Sequence, residues 1–279
     1  MNDSLQVILA SYQANGVTLD MLRAQQQRKD HRHSSLDYPH SITSWGLNYL
    51  EKLKKPLSKS TTGPLSIEQS KIGFEVAKGV CWQIILEKLG CDASNFSTEG
   101  NVTEVLPQLI RYFIGDSRSI YPRHKGIYLW GDTGVGKTFI METLQEMVKR
   151  LGLKQQAFKI HNTQIIAENV LVNEKFDPSV YVSNCAVFDD FGQEEPLVKL
   201  YNNDIKPMAM IVNRVYDNFK QEHGVTHFTS MLPPQLLLEK TTKGMPQIDR
   251  RAYERICEMT TIVKLKGKSK RNLPQTAQY

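Results

Sequence analysis

The chain has 279 residues, which allows one sizeable α/β domain and a smaller accessory region. Its composition, 40% hydrophobic and 9% aromatic, excludes a disordered chain. The net charge of +6 permits contact with nucleic acid without demanding it.

Cysteine spacing and hydropathy indicate the cellular compartment. The four cysteines are scattered, with no C-x-x-C pair, which argues against a structural zinc site and against a disulfide framework. The N-terminal segment lacks the charged region and long apolar core of a secretory signal. No stretch reaches the roughly 18 apolar residues of a membrane span. We therefore predict a cytoplasmic protein with reduced thiols and no membrane partner.

Residues 1–100 are predicted to be largely helical. Apolar side chains recur at helical spacing, most clearly in residues 66–89, a segment that ends at Gly90. Such a helix can dock in a partner's groove, but we favour its packing on the domain that follows. A polar stretch at residues 28–41 contains three histidines. We interpret it as a linker because no carboxylate or thiol pattern completes a metal site.

From residue 102 onward the hydrophobic pattern alternates between helix and strand, which is typical of a parallel sheet. The predicted fold class is α/β, a parallel sheet flanked by helices and preceded by a smaller helical N-terminal region, with the boundary near residues 90–101. The helices are predicted at residues 102–113, 140–151, 163–173 and 205–219, and the strands at residues 126–130, 157–161, 185–190, 225–230 and around 262–265.

The stretch after the first predicted strand has the sequence of a phosphate-binding loop (P-loop), G-x-x-x-x-G-K-T. Glycines let backbone N–H groups turn toward a phosphate, Lys137 can reach the β- and γ-phosphates, and the Thr138 hydroxyl can ligate Mg²⁺. The following helix presents its N-terminus, where the macrodipole favours anions. We predict that a nucleoside triphosphate binds to Gly131, Asp132, Thr133, Gly134, Val135, Gly136, Lys137, Thr138 and Phe139.

Two adjacent carboxylates, Asp189 and Asp190, end a buried strand at the edge where open α/β sheets collect their ligands. We predict that Asp189 holds Mg²⁺, directly or through water, and that Asp190 orients or deprotonates the attacking water. This assignment favours a hydrolase over a small-molecule kinase, and the alternative is that Asp190 only caps a turn. If strand 225–230 lies beside the acidic strand, a hydroxyl at its end can touch the γ-phosphate or the water.

Five motifs resemble, in order and spacing, those of the AAA+ ATPases of the DnaC and IstB group, which are bacterial and phage helicase loaders and transposition helpers. The motifs are GIYLWGDTGVGKT, VFDDFG, IVNRVYDNF, THFTSMLPP and DRRAYERICEM, and the resemblance covers residues 105–271. It implies Mg²⁺-dependent hydrolysis of ATP by a homo-oligomer with active sites at subunit interfaces. It also implies a partner-binding region at residues 1–100, an AAA+ ATPase domain at 101–271 and a C-terminal tail at 272–279.

The resemblance assigns roles to further residues. Arg255 matches the arginine finger, which stabilises charge in a neighbouring subunit's site, and Arg251 lies four residues earlier on the same helical face. The alternative for both arginines is an ordinary surface ion pair. Arg271 lies near the position of a second sensor arginine. The group's sensor strand usually ends Thr-Ser-Asn, but here it ends Thr229-Ser230-Met231. Sensing therefore passes through Thr229 or Ser230, or is weakened.

These features predict an ATPase that acts in DNA replication as a helicase loader, with a replicative helicase and single-stranded DNA as partners. No acidic residue follows Met259, and the lysines there either contact DNA phosphates or form a solvated tail. One alternative is a transposition helper that binds duplex DNA and a transposase. Others are a partner-remodelling ATPase that does not act on DNA, and an ATP-binding adaptor that hydrolyses poorly because Met231 replaces the amide.

Overall fold

The structure is a computed structural model that describes residues 72–89, 100–173, 176–200, 203–239 and 246–269. In these ranges, no helix is both long and apolar enough to cross a membrane. The elements follow one another as α1 (Phe74–Leu89), α2 (Val102–Ile114), β1 (Gly126–Trp130), α3 (Lys137–Arg150), β2 (Lys159–Asn162), α4 (Thr163–Asn173), β3 (Cys185–Asp189), β4 (Val198–Leu200), β5 (Asn203–Ile205), α5 (Pro207–Lys220), β6 (Val225–Ser230), α6 (Arg250–Met259) and β7 (Thr260–Lys264).

Five strands form one parallel sheet in the order β2-β3-β6-β1-β7. Strand β6 lies between β1, which leads into the phosphate-binding loop, and β3, which ends in the acidic pair. Because the strands are parallel, their carboxyl ends meet at one edge of the sheet. The predicted fold class, a P-loop α/β protein with a parallel sheet between helices, is confirmed.

Each face of the sheet has its own hydrophobic core. In β1, Ile127 and Leu129 pack with side chains of α1, α2 and α3, whereas Tyr128 packs with those of α5 and α6. Successive side chains of a strand point to opposite faces, so one short strand serves both cores. Strand β3 is buried at every residue, as expected of a strand inside a parallel sheet.

Helix α1 packs on α3, the arrangement that we favoured for residues 66–89. Its inner side chains, including Cys81 and Ile84, belong to the same core as α2 and α3. Ion pairs reinforce the contact, with 2.9 Å between Lys88 Nζ and Glu142 Oε2. Residues 1–71 and 90–99 lie outside the described residues, as do the predicted linker at 28–41 and most of the predicted N-terminal region. The domain limits stay a prediction.

The chain between β3 and α5 differs from the sequence prediction. We expected Ile205 within a helix, but it ends β5 and pairs with Val198 of β4 in an antiparallel hairpin. Helix α5 begins at Pro207, because proline suits the first helical position, where its missing N–H needs no partner. Among the other boundaries, β2 starts at Lys159, α3 starts three residues earlier than predicted, at Lys137, and Leu265 follows β7. Helix α1 begins only at Phe74, because residues 72 and 73 are not helical.

Candidate functional site

The phosphate-binding loop joins β1 to α3 at the carboxyl edge of the sheet. Gly134 and Gly136 have φ values of 80° and 99°, in the left-handed region that glycine enters without strain. Gly136 immediately precedes α3, so the loop lies at the positive end of a helix dipole. A loop of this conformation at a helix N-terminus suits a phosphate group.

The Lys137 side chain is buried inside this loop. Its Nζ atom donates to the carbonyl oxygens of Gly131 at 2.8 Å and of Asp132 at 3.0 Å. Only 6% of the residue is exposed. The positive charge is therefore held where a phosphate bound to the loop would be neutralised.

Two predicted hydroxyls, from α3 and β6, bind the predicted carboxylate of Asp189 at the end of β3. The Thr138 hydroxyl donates to Asp189 Oδ1 at 2.9 Å and Oδ2 at 3.1 Å, and the Thr229 hydroxyl donates to Oδ1 at 2.5 Å. Burial raises the pKa of the Asp189 carboxyl, while the hydrogen bonds from Thr229 and Thr138 lower it and nearby Asp190 raises it. The strand order makes this cluster possible because it places β6 against β3.

Thr138 and Asp189 fit a Mg²⁺ ion, since hydroxyl and carboxylate oxygens are its preferred protein ligands. Among the residues that the structure describes, no group of three or more His, Cys, Asp or Glu residues could hold a metal by itself. A Mg²⁺ ion held by one or two protein oxygens usually completes its coordination with substrate phosphates and water. When bound, the ion supplies positive charge to the phosphate oxygens.

Asp190 follows β3 in a left-handed backbone conformation, with φ at 58°. Its N–H donates to Thr229 Oγ1 at 3.0 Å, and its Oδ1 accepts from Gln193 Nε2 at 3.1 Å. Asp tolerates this conformation better than most residues, and functional sites often contain such positions. Thr229 thus contacts both members of the acidic pair and orders them.

Sequence reasoning missed Thr163, the first residue of α4. Its buried hydroxyl donates to the carbonyl oxygens of Asp189 at 3.2 Å and of Asp190 at 3.0 Å. The only signal in the sequence was a threonine at a strand–helix junction, which is also what a helix cap looks like. Its role depends on β2 lying next to β3.

Ser230, the last residue of β6, and Met231, the residue after it, contact two different segments. The Ser230 hydroxyl donates to the carbonyl oxygen of Phe191 at 2.6 Å. The sulfur of Met231, where the resembled group has an amide, accepts from the Thr133 hydroxyl of the phosphate-binding loop at 3.3 Å. A thioether is a weak acceptor, so this contact can orient the loop only weakly.

Neither Arg251 nor Arg255, the two predicted arginines within the described residues, contacts the acidic pair of its own chain. Arg255 Nη1 donates to Asn213 Oδ1 at 2.5 Å, and its guanidinium lies 4.6 Å from the ring centroid of Tyr216, both on α5. Arg251 is exposed and has no hydrogen bond or ion pair to another described residue. Arg271 lies outside the described residues.

Phe139 is the last residue of the predicted nucleotide contacts. Its half-buried ring packs against the core shared by α1 and α3. Lys88 Nζ of α1 lies 5.6 Å from the ring centroid. Its side chain therefore joins the loop to α1.

The chain beyond β7 runs across the phosphate-binding loop. A Cβ atom on Gly131 would overlap the carbonyl oxygen of Leu265, and one on Gly134 would overlap the hydroxyl of Ser269. Asn101 fixes this course: its Oδ1 accepts from the Lys266 N–H at 2.6 Å and its Nδ2 donates to the Lys264 carbonyl at 2.9 Å. We call residues 265–269 the crossing segment.

No protein-family model and no curated protein sequence matches the chain. Solved structures do match. One is a candidate primosome component from Streptococcus pyogenes serotype M3, with 18% identity, a TM-score of 0.43 and coverage of 67% of this chain and 98% of that chain. Another is DnaI, with 19% identity, a TM-score of 0.43 and coverage of 68% and 93%. A third is the DnaC helicase loader, with 15% identity, a TM-score of 0.37 and coverage of 62% and 99%.

Proposed function

We propose that the chain is an AAA+ ATPase that hydrolyses ATP with Mg²⁺ and acts in DNA replication as a DnaC-like helicase loader. The observation that carries the ATPase assignment is the cluster of Thr138, Asp189 and Thr229 beside the phosphate-binding loop. The loader role rests on the set of five motifs, which resembles that group in order and spacing.

Each residue of the site has its own role in the proposed hydrolysis. Lys137 and the loop N–H groups bind the phosphates. Asp190, at the edge of the sheet, orients the attacking water and accepts its proton. Thr229 holds Asp189 and Asp190 in register through one hydroxyl. Arg255 of a neighbouring subunit stabilises the charge that develops on the transferred phosphoryl group.

A subunit-mixing assay tests whether the site is shared. Lys137→Ala and Arg255→Ala should each abolish most turnover, because one lacks the phosphate contact and the other the finger. In an equimolar mixture, about one quarter of head-to-tail interfaces combine an intact loop with an intact arginine, so turnover should return. A mixture that stays inactive, while both variants still assemble, would refute the shared site.

Arg251 provides the comparison for Arg255. Since Arg255 contacts Asn213 in its own chain and Arg251 is exposed, the two variants separate the roles. If Arg255 is the finger, only its loss is complemented by Lys137→Ala subunits. Complementation of Arg251→Ala alone would transfer the role to Arg251.

The loader role is tested by adding partners to the same assay. The purified chain should bind a hexameric replicative helicase, and single-stranded DNA should stimulate its turnover. ATP-dependent preference for long duplex DNA would indicate the transposition helper instead. Turnover that ignores both DNA forms would indicate a remodelling ATPase. An Asp190→Asn variant with unchanged turnover would indicate the adaptor.

A further inference from the structure

Glu194 is a buried carboxyl group that the proposed chemistry does not use. It lies in the loop after the acidic pair, and only 5% of it is exposed. Its Oε2 atom accepts from the Gly192 N–H at 2.8 Å, whereas its Oε1 atom has no hydrogen bond of normal geometry among the described residues. Burial raises the pKa of this carboxyl, and the nearby side chains of Thr163 and Gln247 lower it. Burying such a group costs free energy that a leucine of similar size would avoid. We therefore expect this carboxyl to order the backbone and side chains around it.

The loop from Asp190 to Glu194 is closed around this carboxyl. The Gln193 N–H donates to the Asp190 carbonyl at 3.2 Å, while Phe191 is bound to β6 through its N–H, 2.8 Å from the Thr229 carbonyl. Gly192, between them, has a φ of 90°, in the left-handed region that favours glycine, and a Cβ atom there would displace the end of the Leu237 side chain. The Gly192 N–H is held by Glu194, so the place of Asp190 depends on both β6 and Glu194.

The backbone of Glu194 makes a second connection, toward α6. Its carbonyl oxygen accepts a short hydrogen bond from Gln247 Nε2, and Gln247 is also only 5% exposed. Gln247 stands two residues before Asp249, whose carboxylate caps α6 by accepting from the Ala252 N–H at 2.8 Å. Glu194 and Gln247 therefore join the loop of Asp190 to the start of the helix that bears Arg251 and Arg255.

We propose that Glu194 and Gln247 are positioning residues that form a latch between the Asp190 loop and the N-terminus of α6. The functional consequence rests on the proposed ATPase function. In each subunit, the latch would fix the position of the nucleotide site relative to Arg251 and Arg255, the arginines that reach a neighbouring subunit. Packed side chains and hydrogen bonds can carry such coupling: the Glu194 carboxyl holds the loop at Gly192, and its backbone carbonyl binds Gln247 across to α6.

Steady-state kinetics on the full chain test the positioning role. Glu194→Ala and Gln247→Leu should each lower kcat by about tenfold or more, while the Kd of a fluorescent ATP analogue stays within about twofold. Glu194→Gln should keep most of the activity, because its amide oxygen can still accept from the Gly192 N–H. Glu195→Gln, an exposed change at the next residue, is the matched control and should resemble wild type.

Hydrogen exchange of the nucleotide-free chain tests the latch without relying on turnover. Glu194→Ala should raise exchange at the Ala252 N–H, and Gln247→Leu should raise it at the Gly192 N–H, each in the segment that was not altered. Unchanged exchange across the latch in folded variants would overturn the proposal. Wild-type chain that fails to hydrolyse ATP would count against the proposed function, and the exchange result would still decide the latch.

Discussion

At the scale of single residues, the Thr229 hydroxyl makes one hydrogen bond to each member of the acidic pair. It donates its one proton to Asp189 Oδ1 and accepts the Asp190 N–H. A hydroxyl has one donor and two acceptor positions, and both members of the pair therefore depend on one atom. Its neighbour in the sequence, Ser230, is bound to Phe191 and cannot substitute for it.

Replacing Thr229 with valine should lower ATP turnover by about tenfold or more, since a hydrogen bond to a charged group contributes roughly 1.5–3 kcal/mol. Valine keeps the shape of the side chain but removes the donor to Asp189 and leaves the partly buried Asp190 N–H without its acceptor. Steady-state turnover and thermal melting together measure the effect. Thr229→Ser is the control and should recover most of the activity. Wild-type turnover in a folded Thr229→Val chain would contradict the assignment.

The sequence allowed part of the site to be predicted, namely the residues whose spacing is local. Lys137 and Thr138 follow from the loop motif, and Asp189 follows from a strand that ends in acid. Thr163 and Glu194 could not be predicted, because their contacts depend on which strands become neighbours and how a loop closes. Conversely, Arg255 matched a motif, but its hydrogen bond to Asn213 was not visible in the sequence.

At the scale of elements, Asn101 binds backbone groups at the end of β7, as a neighbouring strand would. Its side chain makes hydrogen bonds to Lys264, the last residue of β7, and to Lys266, and its backbone N–H donates to the Lys266 carbonyl at 3.2 Å. The start of α2 is thereby joined to the end of β7. Trp130 adds a cross-strand contact, with Lys264 Nζ 4.4 Å from its ring centroid.

We expect Asn101→Ala to lower the free energy of unfolding by about 1–3 kcal/mol, because two side-chain hydrogen bonds at roughly 0.5–1.5 kcal/mol each are lost. Urea denaturation followed by circular dichroism measures the change. Gln164→Ala, an exposed change in α4, serves as the control and should be close to neutral. Equal stability of the two variants would show that the crossing segment is held by other contacts.

Elements with a strong, long pattern were predictable, and short ones were not. Strand β6 was predicted at residues 225–230 and is observed there. The hairpin of β4 and β5 has three residues in each strand, too few for alternation to stand out from a helical pattern. Ile205 was read with the helix that follows, although Pro207 was the better indication of where that helix starts.

At the scale of the whole molecule, His227 links three strands at the base of the sheet. Its Nδ1 accepts from the Ile127 N–H at 3.0 Å, so the ring proton is on Nε2, which faces the sulfur of Cys185 at 3.4 Å. The aromatic rings of α2 and the chain before β2, Tyr112, Phe113 and Phe158, surround the imidazole. Burial lowers the pKa of His227 to about 3.

This histidine should make the fold acid-sensitive. A base whose pKa is lower in the folded than in the unfolded state is neutral in both above pH 6.5, and only the unfolded chain gains the proton as the pH falls toward 3. Between pH 7.5 and 5.5 His227 should cost about 1.4 kcal/mol of stability. Urea unfolding across this range provides the measurement.

Two variants isolate the contribution of His227. His227→Asn keeps an acceptor near the Ile127 N–H but does not titrate, so its unfolding free energy should change less with pH than that of wild type. His223→Gln, an exposed change, should leave the pH dependence as it is. The half-buried His161, whose pKa burial also lowers, contributes equally to all three proteins. Parallel curves for wild type and His227→Asn would disprove the prediction.

The path of the crossing segment has a thermodynamic consequence. Residues 265–269 touch the phosphate-binding loop at Gly131 and Gly134, and they carry Lys266 and Lys268. An anion bound to these lysines and a nucleotide bound to the loop would therefore both contact this junction of the loop and the crossing segment. By thermodynamic linkage, if bound nucleotide changes the affinity for the anion by some factor, bound anion changes the affinity for the nucleotide by the same factor. Salt titrations of nucleotide binding would thus report on both ligands at once.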